Sequence, residues 1–158
     1  MKPLELGSLL KLGWAIAEHE AIALKATVIE PIHFLLAALK IADPKFPEQL
    51  DKLDITSDEW KNMSQEAKSL RHWLDVLPEH VADARRRLRR RLVRMIDVGE
   101  VKNVKLLHRS RKSRAAFYDA MSECSNDVLT LRQVVESMFY LGFVDVSDMR
   151  WLGETKSI

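Results

Sequence analysis

Apolar residues recur along most of this chain at intervals of three and four, the spacing that lines one face of an α-helix. Leu6, Leu10, Trp14, Ala17, Ala21 and Leu24 form the first such stripe. It predicts a helix of about 20 residues beginning near Pro3 or Leu4 and fading over 25–29, where β-branched residues enter. Pro31 suits the first position of a second helix, which runs to Ile41 and stops before Pro44. "FPEQLDKLDI" reads as a short helix after Pro47, ending near Asp54. Ser57 is placed as the N-cap of a third long helix, with Trp60, Met63, Ala67, Leu70, Leu74 and Leu77 as its stripe.

Pro78 marks a break, and a basic helix follows from Val81 to near Asp97, ahead of Gly99. The stretch 98–110 is the least regular, with Val101, Val104 and Leu106 suited to a short extended link. Ser110 or Ser113 opens a helix through Cys124, and Thr130 opens another through Leu141, with Gly142 as its stop. "VSDMRWLG" adds at most a last turn or two. The expected class is all-α.

Composition narrows this further. The 158 residues suit one domain over 1–158, with 47% apolar and 30% charged residues and only five each of Gly and Pro, too few for a turn-rich β fold. The single cysteine, Cys124, excludes an intrachain disulfide and is expected to be a small residue on a helix face. The first residues lack the pattern of a secretory leader, and no apolar run approaches the roughly 18 residues of a membrane span, so a cytoplasmic, soluble protein is expected. The formal net charge of +2 conceals a segregation: residues 1–80 sum to −4, 81–114 to +10 and 115–158 to −4.

The two ends of the chain rhyme. Ala17 and Ala21 lie four apart on a helix, a short linker follows, then "EPIHFLLAAL"; Ala116 and Ala120 lie four apart, a linker follows, then "TLRQVVESMF". Aligning His33 with Gln133 sets Glu30 against Thr130, and the alanine pairs then need a shift of one residue. "TLRQ" has the form of a capping box, with Thr130 at the N-cap and Gln133 three residues on. "EPIH" places Glu30 at the N-cap, Pro31 first in the helix and His33 where the glutamine stands. Glu30, His33, Thr130 and Gln133 are therefore read as helix caps.

On these residues the chain resembles the Clp N-terminal domain family, the double helical repeat at the front of Clp-type AAA+ unfoldases. "EPIHFLLAAL", the spacing of Ala17 and Ala21 ahead of His33, and "FPEQLDKLDI" carry the resemblance, with a degenerate second copy in which Gln133 replaces histidine. The resemblance implies two repeats, about 4–55 and 110–142, packed as one orthogonal helical bundle. His33 and Gln133 stand 100 residues apart, farther than the family's repeats usually lie, so 57–108 is an enlarged, basic helical connection. No "GxxxxGK[ST]" loop is present, so these residues cannot hold ATP as the family's motor does. The resemblance implies a non-enzymatic protein-interaction module that binds substrates, adaptors or a partner of a Clp-type unfoldase. It is either a stand-alone module acting in trans or the front of a longer ATPase.

Little else suggests chemistry. His19 sits in "EHE", read as a solvated face; His72 and His80 are eight apart across Pro78, which is not a zinc spacing; His108 lies among basic residues. No catalytic triad pattern is recognisable, and no metal or cofactor is expected. The strongest charge signal is "VADARRRLRRRLVRMI". Val81, Ala84, Leu88, Leu92 and Met95 share one face; Arg85 and Arg91 flank it; Arg86, Arg87, Arg89, Arg90 and Arg94 point away. Three uses fit: a surface helix neutralised by the acidic flanks, a docking face for an acidic protein, or contact with phosphates of nucleic acid or an anionic membrane. A protein partner is expected, nucleic-acid binding through 81–96 is the alternative, and an oligomer is left open.

Overall fold

The computed structural model describes residues 4–74, 80–95, 107–125 and 127–144, the side chains of 93–95 excepted. Pro78, the 101–106 link, the 146–153 turn and the side chain of Arg94 lie outside the described residues. Among those described are six helices: α1 (Ser8–Ala23), α2 (Pro31–Ala42), α3 (Ser57–Leu74), α4 (Val81–Met95), α5 (Arg111–Glu123) and α6 (Leu131–Tyr140).

The first helix begins later than its apolar stripe predicts. Glu5–Leu6 forms a two-residue strand, β1, parallel to Val128–Leu129, β2, with Glu5 N–H donating to the Asp127 carbonyl and Gly7 N–H to that of Leu129, both at 2.8 Å. The ladder holds Glu5–Leu6 extended and Gly7 is still extended at φ −63°, ψ 154°, so α1 starts only at Ser8. A matching parallel bridge joins Ile29 to Arg109, through Ile29 N–H to the His108 carbonyl at 2.8 Å and Ser110 N–H to that of Ile29 at 2.9 Å. The segment before α1 thus pairs with the one before α6, and the segment before α2 with the one before α5. This crosswise exchange ties helix pair α1/α2 to α5/α6.

Counted from the cap residues Gly7 and Ser110, Gly13 and Ala17 occupy the positions of Ala116 and Ala120, so the alanine pairing expected from sequence shifts by a turn. By the same count Trp14 answers to Phe117, and their rings meet edge to face at 5.1 Å. Gly13 lies where Leu131 of α6 presses closest: a Cβ there would come within 2.9 Å of Leu131 Cδ1.

Helix α2 is the centre of the bundle. Ten of its twelve residues are buried, and α1, α3, α4, α5 and α6 all pack against it. A helix apolar on nearly every side is stable only when wrapped in this way. Phe34 meets Trp14 at 6.4 Å and Phe117 at 5.4 Å. The guanidinium of Arg109 covers that cluster, 4.4 Å from the Trp14 ring and 4.6 Å from that of Phe117.

Helix ends follow local chemistry. α1 closes with Lys25 in the left-handed region (φ 58°) and Ala26 N–H on the Ala21 carbonyl at 2.8 Å. α6 closes the same way, with Gly142 at φ 74° and Phe143 N–H on the Met138 carbonyl at 2.9 Å. "FPEQLDKLDI" forms two 3₁₀ turns, Phe46–Gln49 and Asp51–Leu53, rather than one short helix. The N-cap of α3 is Thr56, not Ser57: Glu59 N–H donates to Thr56 Oγ1 at 3.1 Å and Thr56 N–H to Glu59 Oε1 at 3.4 Å, a reciprocal box. Ser110 is the cap of α5, accepting from Ser113 N–H at 3.1 Å.

Candidate interaction surface

The apolar side of α4 seats against α2 through Val81, Ala84 and Leu88, all buried. With that side fixed, the helical turn decides where each arginine goes. Arg86 and Arg90, one turn apart, face solvent. Arg87 is exposed and pairs with Asp83 at 3.3 Å, and Arg91 is also exposed.

Arg89 is not on the outer face with them. Its Nε donates to Glu20 Oε2 at 2.8 Å and its Nη2 to Glu20 Oε1, a two-pronged pair with a carboxylate only 3% exposed. Glu20 is therefore not part of a solvated "EHE" face, although His19 is exposed as expected. The helical wheel carries the missing signal. Glu20 falls one turn after Ala17 and one before Leu24, on the buried stripe itself.

Arg85 lies half-buried beside this pair, with Nε and Nη1 shielded from solvent and lacking hydrogen-bond partners. Burial, then the neighbouring Arg89, weakens its hold on its proton, with Glu20 and Asp43 acting the other way. Lys40 is lowered by burial first and by Arg85 next, again opposed by Glu20. Three cations thus gather around one buried carboxylate along the inner edge of α4. The outer edge adds Arg86 and Arg90, so the positive potential extends from interior to surface on one side of the bundle.

The expected caps are in place. Glu30 N–H donates to His33 Nδ1 at 2.8 Å, and Thr130 N–H to Gln133 Oε1 at 2.9 Å. Gln133 N–H returns to Thr130 Oγ1 at 3.2 Å, while His33 N–H meets the Glu30 main-chain carbonyl at 3.0 Å. The imidazole must keep a lone pair on Nδ1 to accept. Burial pushes its pKa down to about 4, with Glu20 pulling the other way. His33 is 4% exposed. Cys124, at the C-cap of α5, sits near the Gln133 amide, its Sγ 3.7 Å from Nε2.

Sequence reasoning did not find the groove between α5 and α6. It holds about 560 Å³ and is lined by Asp119, Glu123, Gln133, Glu136, Ser137 and Tyr140, among others. The acidic residues were visible only as a net charge of the third segment, because two helices must pack before their side chains converge. Among the described residues no three His, Cys, Asp or Glu side chains gather closely enough to hold a metal ion, and no helix is long and apolar enough to cross a membrane. Comparison with protein-family models, curated proteins and solved structures returned no match.

Proposed function

We propose that this chain is a non-enzymatic protein-interaction module of the Clp N-terminal kind, which engages a Clp-type AAA+ ATPase, its substrates or its adaptors. The supporting observation is the doubled helix pair. "EPIH" and "TLRQ" each open the second helix of a pair with the N3 side chain hydrogen-bonded to the N-cap amide, and the segments ahead of the helices are exchanged crosswise. Such a frame has a buried central helix and exposed residues on the helices around it, which suits recognition by surface. The test is titration of the labelled chain into a purified, nucleotide-loaded Clp-type ATPase ring by fluorescence anisotropy. Saturable binding at micromolar concentration supports the module, and no binding at that level rules it out.

A second reading rests on Arg86 and Arg90, which are exposed and have no ion-pair partner among the described residues. Through them the 81–96 helix contacts the phosphates of a nucleic acid. This requires affinity for a DNA or RNA duplex that falls steeply with salt. Salt-insensitive binding, or none, removes that reading.

A further inference from the structure

The α5–α6 groove and the outer face of α4 are complementary surfaces, and among the described residues no ion pair joins Arg86 or Arg90 to the groove. Asp119 and Glu123 stand one helical turn apart on α5, and Glu136 and Tyr140 one turn apart on α6. No Lys or Arg is among the described residues that line the groove. Ser137 is only 7% exposed, yet it lines this groove, and its hydroxyl has no hydrogen-bond partner among the described residues. That hydroxyl is open to the groove, where it can accept a hydrogen bond from an occupant. Tyr140 stands at the rim 82% exposed, its ring offered to solvent.

Carboxylates, a hydroxyl acceptor and an open aromatic face are together the receptors of a guanidinium. Arginine forks onto carboxylates with two parallel N–H bonds and stacks on aromatic rings. On α4, Arg86 and Arg90 repeat at one turn, about 6 Å along the axis, the same rise that separates Asp119 from Glu123. We propose that the α5–α6 groove is a docking site for the α4 arginines of a second copy of this chain. Arg86 and Arg90 of one copy sit between Asp119, Glu123 and Glu136 of the next, with one guanidinium over Tyr140 and an N–H on Ser137 Oγ. The two surfaces differ, so the contact is head-to-tail, and it continues until a ring closes or a short filament forms. This inference is independent of any Clp-type partner.

The test is sedimentation velocity on the full chain across a concentration series, at about 50 mM and about 500 mM salt, where screening differs strongly. The expected result is a sedimentation coefficient that rises with concentration at low salt and returns to the monomer value at high salt. Asp119→Lys with Glu123→Lys abolishes association, as does Arg86→Glu with Arg90→Glu. Mixing the two double variants restores association, because the native helix face of one meets the native groove of the other and the two reversed surfaces complement each other as well. Ser137→Ala and Tyr140→Ala, milder changes checked for fold by circular dichroism, weaken association at least tenfold. A chain that stays monomeric at low salt overturns the proposal, as does association unaffected by the groove variants. So does an arginine peptide that fills the groove while the chain itself remains monomeric.

Discussion

Arg89 reaches from α4 to α1, 69 residues back in the chain, and clasps Glu20 with both carboxylate oxygens engaged. Glu20 is buried while the Arg89 side chain keeps 38% of its exposure, so the pair is a bridge from core to surface. Removing the arginine alone leaves a carboxylate in low dielectric, which costs about 3 kcal/mol; replacing both partners by apolar residues of similar size is close to neutral. Arg89→Ala is thus expected to lower the urea midpoint markedly, and Glu20→Leu with Arg89→Leu to recover most of it. A double variant as damaged as the single one would show that the pair supplies more than its own neutralisation.

His33 makes the fold sensitive to acid. Its pKa in the folded chain is about 4 against 6.5 for the free side chain, so the folded state binds fewer protons between those values. Its contribution is fully present above pH 6.5 and is lost as pH falls towards 4, by about 3 kcal/mol at most. The Glu20 carboxylate nearby softens the effect without reversing it. His33→Gln, which copies Gln133 in the other cap, should keep the hydrogen bond to Glu30 N–H and flatten the stability profile over this window. Urea titrations at intervals from pH 4 to pH 7 measure it, and an unchanged slope in the variant contradicts the assignment.

Ser113 ties the two helix pairs together. Its buried hydroxyl donates to the Ile29 carbonyl at 2.7 Å across 84 residues of chain, and lies 3.1 Å from the Ser110 hydroxyl, which donates to it. Ser113→Ala should cost about 1 kcal/mol, since the Ile29 carbonyl retains the Ser110 amide. In a domain of this size that lowers Tm by roughly 2–4 °C. Ser113→Val should cost more, because a larger apolar group is forced against that carbonyl. Calorimetry on the three proteins checks the order.

Arg86 and Arg90 should be dispensable for folding. Both are exposed and neither has an ion pair among the described residues, so Arg86→Ala with Arg90→Ala should shift stability by no more than about 0.5 kcal/mol. Retention on a heparin column should fall in the same variant, elution moving to lower salt. A clear loss of stability would mean that the arginine stems, rather than their charges, hold α4 against the bundle.

Most of this architecture was legible locally. The stripe on α1, the apolar α2, the arginine face of α4 and the caps "EPIH" and "TLRQ" each depend on residues within a turn or two, where spacing and side-chain chemistry suffice. The cap of α3 was legible as well: "TSDE" is a T-x-x-E box, and assigning it to Ser57 passed over Thr56. Glu20 escaped because charge was weighed above its place on the stripe. The acidic groove escaped for a deeper reason, since Asp119 and Glu136 belong to different helices and share a surface only after these pack.

The sequence by itself determined that the chain is helical, where most helices begin and end, and which apolar stripe of each turns inward, because all three depend on interactions of short range. Tertiary structure decided what distance along the chain conceals. It paired 5–6 with 128–129, so that α1 starts at Ser8, and it turned Arg89 inward to Glu20 while leaving Arg86 and Arg90 outside. It also brought α5 and α6 side by side into an acidic groove. Each of these depends on groups far apart in sequence, where the burial of α2 by its neighbours sets the geometry and periodicity carries no information.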